Sequence, residues 1–270
     1  MTSDFTPSAI GVIGAGIMGE ALISALISSG VAPATITISE KREERARELM
    51  SKYEVHSAEL LANVASAQVL LLVVKPQDMA GVLEEIKGAL NPDALIVTFA
   101  AGKKIDFIAS ILGGKRSIIR VMPNTPALVG EGMAAISSGP EVLPAHTHFV
   151  RGFLEATGQV VEVEEALQDA VTAVSGSGPA YFFAFIEAMV SAGIDLGLSQ
   201  EVATQLSVQT MVGAAKLLAT SDKSATTLRE NVTSPNGTTA AALASFSQDE
   251  LGKIVNTAMR AARDRSQELA

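Results

Sequence analysis

The chain contains no cysteine. That excludes disulfides, thiolate nucleophiles and cysteine-based metal sites together. Histidine is scarce, with three copies at His56, His146 and His148. His146 and His148 are close in sequence but have no nearby partners of metal-ligating type, so no metal is expected. Aromatic residues make up 4% of the chain against 48% hydrophobic, which leaves core packing to Ala, Val, Ile and Leu. Positive charge is in deficit, with a formal net charge of −9. Nucleic acid needs a basic footprint and finds none. A local basic pocket for an anionic cofactor stays compatible with an acidic, soluble surface. Long apolar runs are missing as well. Val69 to Val74 has the length of a strand, far short of the roughly 20 residues of a membrane helix. Met1 to Ala9 lacks the basic start and apolar stretch of a secretory signal. A cytoplasmic protein without a membrane segment is expected.

What is present is alternation. Ala9–Ile13, Thr35–Ser39, Gln68–Val74 and Leu95–Phe99 read as strands, as do Ser117–Val121, Met133–Ser137 and Val160–Val163. Between them, Ile17–Ser29, Glu40–Ser51, a segment from a capping Asp78 to Leu90, Ile105–Leu112 and Val142–Ala156 read as helices. Such βαβ alternation predicts a mostly parallel sheet with helices on both faces. After Glu164 the strand signals stop. Ala166–Val174, a long helix from Pro179 to Leu196, a Ser199-capped helix to Thr220, Ala225–Asn231, Thr238–Phe246 and Gln248–Glu268 follow. The expected architecture is α/β, with a dinucleotide-binding domain over 1–163 and an all-helical domain over 164–270. Tyr181, Phe182, Phe183, Phe185, Ile186, Met189 and Val190 surround most of one helix. A helix that is apolar nearly all round must be buried on several sides. A second copy of the chain satisfies that demand, so a homodimer through the helical half is expected over a compact monomeric bundle.

Gly14-Ala15-Gly16-Ile17-Met18-Gly19 is a GxGxxG between an apolar strand and a helix. In that context Gly14 permits the tight turn, Gly16 lets a pyrophosphate approach the backbone, and Gly19 lets helix and strand pack closely. Free N–H groups at the helix start, with the positive end of its dipole, suit phosphate. The second strand ends at Ser39-Glu40-Lys41-Arg42. An acidic residue there suits the ribose 2′-hydroxyl of NADH, whereas Ser, Lys and Arg suit the 2′-phosphate of NADPH. Glu40 is equally well placed as an exposed residue at the next helix start. Two further strand ends, Val74-Lys75-Pro76 and Ala100-Ala101-Gly102, are expected to line the same crevice.

These segments are followed by Met122-Pro123-Asn124-Thr125-Pro126, Ser175-Gly176-Ser177-Gly178-Pro179-Ala180-Tyr181 and Asn231-Val232-Thr233-Ser234-Pro235-Asn236-Gly237-Thr238-Thr239. Together, over residues 9 to 269, they resemble the pyrroline-5-carboxylate reductases. The resemblance implies a Rossmann domain followed by a helical dimerisation domain, assembled in many members as a ring of five dimers. It implies reduction of 1-pyrroline-5-carboxylate to L-proline, the last step of proline biosynthesis, with NADPH or alternatively NADH. By the same resemblance Thr239 partners the imine nitrogen, and Ser234, Gly237 and Thr238 hold the substrate carboxylate. Asn231 and Val232 lie near the nicotinamide. Asp222 matches an acidic position that touches proline in some members. Asn236 departs from the glycine common there, but asparagine tolerates a left-handed backbone better than other non-glycine residues.

The residue types suit this chemistry. A Ser/Thr/Gly loop leading into a helix offers hydroxyls and free N–H groups to a carboxylate. Reduction of an iminium needs orientation more than a strong acid, in keeping with so few histidines. Glu187, in the apolar helix, is a candidate proton source or a partner for backbone groups. A reductase of 3-hydroxy acids is disfavoured, because such enzymes use a lysine in the first long helix of the second domain, and Pro179 to Leu196 has none. A non-catalytic nucleotide-binding protein on the same fold would lack intact substrate-loop residues.

Overall fold

Short runs of Ile, Val and Leu become strands, because β-branched side chains fit a surface buried on both faces. In a computed structural model, which describes residues 5–269, these are β1 (Ile10–Ile13), β2 (Ile36–Ser39), β4 (Val69–Leu72), β5 (Leu95–Thr98), β6 (Ile118–Met122), β7 (Gly132–Ser138) and β8 (Gly158–Glu162). A two-residue strand, β3 (His56–Ser57), completes one eight-stranded sheet in the order β3-β2-β1-β4-β5-β6-β7-β8. All neighbours are parallel except β6 and β7.

The helices between the strands are α1 (Ile17–Ser28), α2 (Glu43–Tyr53), α3 (Leu60–Ser66), α4 (Met79–Ile86), α5 (Ile105–Leu112) and α6 (Pro144–Glu155). Successive strand residues feed opposite faces. Ile10, Val12 and Leu71 pack into a core with Leu22, Leu26 and Phe153, whereas Ile13, Leu70 and Leu72 pack with Leu83, Ile86 and Ile108. The chain reverses its direction of travel across the sheet between β1 and β4, so the crevice at their carboxyl ends is the place where ligands bind in such sheets.

Three details differ from the sequence reading. β3 and α3 were not expected. His56-Ser57 has too few residues to carry a period, and only its pairing with Thr37 and Ile38 makes it a strand. Asp78 stands at the start of α4 but makes no capping bond. The 3-10 turn Pro76–Asp78 runs directly into the helix and holds Asp78 at helical angles (φ −91°, ψ −12°). α2 begins at Glu43 rather than Glu40, and Glu40 is engaged elsewhere. By contrast Ser199 caps as expected, its hydroxyl accepting from the Val202 N–H at 3.3 Å.

The remaining helices are α7 (Gln168–Val171), continued as a π-helical turn over Thr172–Gly176, then α8 (Gly178–Asp195), α9 (Gln200–Thr220), α10 (Ala225–Asn231), α11 (Thr238–Gln248) and α12 (Leu251–Glu268). The chain divides into two compact units, one comprising everything up to Ser177 together with Ala262 onward, the other Gly178–Ala261. The first holds the sheet and both cores. In the second, α8 and α9 form a helical hairpin in which Gly193 lets Ala203 approach; a Cβ on Gly193 would lie 3.1 Å from that of Ala203. Ala203 is the sole buried apolar side chain of this unit among the described residues, while Phe182, Phe183, Phe185 and Leu206 are exposed. Glu165–Asp195 forms one helical run of 31 residues, long and apolar enough by length and composition to cross a membrane, in contrast to the expectation from apolar runs in the sequence.

Between α1 and α2, Glu20 gathers three partners. Lys52 Nζ (2.8 Å), Tyr53 Oη (3.1 Å) and the Arg45 guanidinium all donate to its carboxylate. Lys52 and then Arg45 hold its carboxyl down to about 2, against a usual 4.5. A depressed folded-state pKa means that the stabilisation is complete above about pH 4.5 and lost as the pH falls toward about 2. Glu20→Gln is expected to destabilise the protein by about 1–2 kcal/mol at pH 7, and by much less near pH 3. Denaturant titration at both pH values measures this; an equal loss at both would remove the charge from the account.

Candidate active site

The glycine loop follows β1, where a strand must turn into a helix within three residues. Gly14 takes φ +86°, and a Cβ there would stand 2.7 Å from the Val73 carbonyl oxygen. At Gly19 a Cβ would collide with the Gly14 carbonyl oxygen. Both glycines are thus required by the chain's own packing. Gly16 is different: a Cβ there would meet nothing within 4 Å. Its lack of a side chain answers to no group of the described protein, and the open space lies beside the first N–H groups of α1. That is the vacancy a pyrophosphate needs, so the residues present fit a dinucleotide. Ala15 is buried, whereas Ile17, beside it at the helix start, is 69% exposed.

The loop is clamped from the end of β2. The Ala15 N–H donates to Glu40 Oε2 at 3.1 Å, and Arg45 Nε donates to the Ala15 carbonyl at 3.2 Å. The other Glu40 oxygen accepts from the backbone N–H (3.1 Å) and Nε (3.0 Å) of Arg42. Burial opposes charge on Glu40, but Arg42 and the two N–H groups outweigh it, and the carboxyl sits below its usual range. Glu40 is therefore an inward brace of the loop, while the Arg42 side chain is 66% exposed. Ser39, expected among the cofactor ligands, has its hydroxyl turned to the Ala58 carbonyl (3.0 Å) and Asn63 Nδ2 (2.9 Å), and its carbonyl accepts the Gly14 N–H at 3.1 Å. Lys41 and Lys75 are exposed, and Val74 and Pro76 half-buried.

Of the third strand end, Ala100 is buried and Ala101 half-buried. Gly102, at φ +75°, is buried against the chain itself: a Cβ would lie 2.6 Å from the Ser266 carbonyl oxygen and 2.8 Å from Leu269 Cβ. Its glycine character serves the docking of the carboxy-terminal residues. A role the sequence reading missed belongs to Asn124. Its Oδ1 accepts the Met133 N–H at 2.9 Å and its Nδ2 donates to the Ser175 carbonyl at 3.2 Å. It thus joins the Met122–Pro126 motif to the Ser175–Tyr181 motif. The π-helical turn there, with Ser177 N–H bonded to the Thr172 carbonyl at 2.8 Å, is an irregularity often found at functional sites.

In the second unit the Ser234–Thr239 segment is a tight turn feeding a helix. The Gly237 N–H donates to the Ser234 carbonyl at 3.0 Å, Pro235 occupies the first central position, and Asn236 takes φ +59° at the second. Pro followed by a left-handed residue is the signature of a type II turn. Asparagine fills the left-handed position, as expected. Gly237 is the N-cap of α11 and supplies no side-chain cap, so the first N–H groups of that helix have no partner among the described residues. Thr233's hydroxyl bonds the Arg229 carbonyl at 2.6 Å. Those of Ser234, Thr238 and Thr239 make no such bond among the described residues. Asn231 ends α10 and is exposed, as is Val232. Asp222 lies in the exposed bend between α9 and α10, away from this turn in sequence and bonded to none of it. Glu187 is exposed on α8 rather than buried. His146 is buried, its Nδ1 accepting the Leu143 N–H at 3.4 Å with its ring edge-on to Phe5; burial pushes its pKa down.

Two family models match the chain. One, described as pyrroline-5-carboxylate reductase dimerisation, covers residues 165–269, and one described as NADP oxidoreductase, coenzyme F420-dependent, covers residues 9–102. The chain is 42% identical over 263 residues to the pyrroline-5-carboxylate reductase of Pseudomonas aeruginosa, spanning 97% of this chain and 96% of that protein. Among solved structures it resembles a pyrroline-5-carboxylate reductase from Coxiella burnetii, with TM-score 0.90, 32% identity and coverage of 98% and 99%. It also resembles the Plasmodium falciparum pyrroline carboxylate reductase with NADP bound, with TM-score 0.87, 28% identity and 97% of each chain.

Proposed function

The chain belongs to the pyrroline-5-carboxylate reductase family, and from that premise we propose the following reading of its parts. The protein reduces 1-pyrroline-5-carboxylate to L-proline, the last step of proline biosynthesis. The observation that carries the substrate assignment is the Ser234–Thr239 turn. It presents unpaired hydroxyls and the free N–H groups of α11 together, a surface suited to a small carboxylate beside a C=N bond. Ser234 and the backbone of Gly237 and Thr238 hold the carboxylate, and Thr239 donates to the imine nitrogen and sets its orientation. Asp222 stands at the edge of this reading, as a contact to the product amine. Asn231 lies on the nicotinamide side.

Residues 14–19 hold the pyrophosphate, with Val74, Lys75, Pro76, Ala100 and Ala101 along the same crevice. When bound, the reduced nicotinamide supplies the hydride. NADPH is the preferred form. The Glu40 carboxylate is folded inward, already accepts three bonds from Ala15 and Arg42 and is 9% exposed, which disfavours it as the acceptor of a ribose 2′-hydroxyl, and the exposed cations of Lys41 and Arg42 suit a 2′-phosphate. NADH is accepted less well.

The functional boundary lies near 164, and the helical half forms a homodimer. A unit with one buried apolar side chain and many exposed Phe, Leu and Val residues has no core of its own, and a second copy supplies it. The same covering accounts for the apolar run Glu165–Asp195 without lipid, since it carries Gln168 and Asp169 buried among polar partners. Assembly of five dimers and a cytoplasmic location complete the proposal.

The test is oxidation of NADPH with 1-pyrroline-5-carboxylate, beside NADH, on protein whose mass is measured by light scattering. Turnover faster with NADPH, by a dimer or a multiple of it, is expected. Cofactor binding without turnover would assign another substrate, and a stable monomer would remove the dimer.

A further inference from the structure

The loop from Phe99 to Lys104 is anchored at its start, where Phe99 and Ala100 are buried in the two cores. Beyond them Ala101 and Gly102 offer little or no side chain to pack. Phe99 N–H bonds the Leu72 carbonyl at 3.1 Å, and the Ala100 N–H reaches Thr98 Oγ1 at only 3.4 Å. The position of its later part, around Gly102, is set by what presses on it. On one side stands the end of α12, against which Gly102 closes with no room for a Cβ. On the other, the first N–H of α5, from Ile105, donates to Glu165 Oε1 at 2.7 Å.

These two contacts are joined by a polar chain, buried at Arg120, Asp169 and Ser266 and half-buried at Glu165. Glu165 Oε1 lies 3.5 Å from Arg120 Nη1, Arg120 Nη2 lies 3.4 Å from Asp169 Oδ1, and Ser266 Oγ donates to that same Asp169 oxygen at 2.8 Å. Arg120, on β6, is 2% exposed and Ser266 3%. The chain runs from the start of α5 to the end of α12 and closes on Gly102, a ring within the first unit. It contains one cation and two carboxylates. The surplus negative charge sits at the positive end of α5 and beside the Ser266 hydroxyl, which is where it is best tolerated. Such an arrangement costs desolvation and is poor evidence of stabilisation in its own right; what it does provide is a fixed geometry.

We propose that residues 262–269 are a working part of the cofactor site, and that Ser266 and Asp169 are positioning residues which, with Arg120 and Glu165, set the loop Phe99–Lys104 for reduction. This rests on the reading that the loop lines the cofactor crevice. A loop displaced by about an ångström lowers the rate of a correctly bound complex far more than it lowers binding.

The test uses the full-length enzyme with Ser266→Ala, Asp169→Asn and the hydroxyl-retaining Ser266→Thr. Hydrogen exchange of the cofactor-free protein comes first. Amides of 99–105 are expected to exchange about tenfold faster in Ser266→Ala and Asp169→Asn, with β1 and β4 unchanged. Single-turnover reduction, expressed per bound NADPH, is expected to fall about tenfold, with the NADPH Kd moving less than about threefold. Ser266→Thr is expected to restore both. Exchange that is unaltered at 99–105, or raised evenly across the whole unit, overturns the proposal, as does an unchanged rate per bound NADPH. Wild-type NADPH binding and turnover, run alongside, judge the reductase reading separately, because the exchange result decides whether the tail holds the loop even if that reading fails.

Discussion

Gly16→Val is expected to leave a folded protein that no longer binds NADPH. The neighbouring glycines give the contrast. Gly14 and Gly19 lack side chains because the chain itself occupies the space, and replacing either strains the loop before any ligand arrives. At Gly16 the space is open, and the backbone angles, φ −67° and ψ −159°, are ones that residues other than glycine adopt. Valine is a poorer N-cap than glycine, which costs about 1 kcal/mol or less. Its methyl groups, however, stand where the phosphates must meet the helix N-terminus. A loss of at least about 100-fold in NADPH affinity is expected, equivalent to about 3 kcal/mol. Titration of NADPH fluorescence, with denaturant unfolding as the control, measures both quantities. Tight binding by the folded variant would move the pyrophosphate away from the glycine loop. Gly19→Ala serves as the counterpart, expected to lose stability and binding together.

Thr239→Ala is expected to lower kcat by about 100-fold while the NADPH Kd changes less than about twofold, the pattern of a lost donor that acts at the reacting group. Thr239 lies in the first turn of α11, two residues after the Gly237 N-cap, and its hydroxyl has no partner among the described residues. Removing it leaves the turn intact, since that turn is held by the Ser234–Gly237 backbone bond and the left-handed Asn236. Thr239→Ser should recover most of the activity. Equal losses in turnover and NADPH affinity would place Thr239 on the cofactor instead, and unaltered turnover would leave the imine nitrogen to another donor.

The two motifs behind these predictions were legible from local sequence because each works locally. A strand ending in GxGxxG before a helix has few conformations open to it, and Ser-Pro-Asn-Gly ahead of a helix is a turn by the same logic. The alternation of strands and helices, the change to helices alone after Glu164, and the missing core of the helical half also follow from side-chain type and spacing. What stayed out of reach were features made by contacts between distant residues. His56-Ser57 is a strand only because β2 lies beside it.

Sequence alone determined the fold class, the glycine turn after β1, the Pro-Asn turn before α11 and the family. Only the tertiary structure decided which neighbours those residues meet. It turned Glu40 inward onto Ala15, engaged the Ser39 hydroxyl with Ala58 and Asn63, and assigned Gly102 to the end of α12 rather than to a ligand. It also gathered Arg120, Asp169 and Ser266 into one buried polar chain that reaches the half-buried Glu165. The physical reason is the range of the forces involved. Backbone angles and periodicity act over a few residues and leave a trace in sequence. A buried carboxylate or hydroxyl finds its partner only after the chain has closed around it.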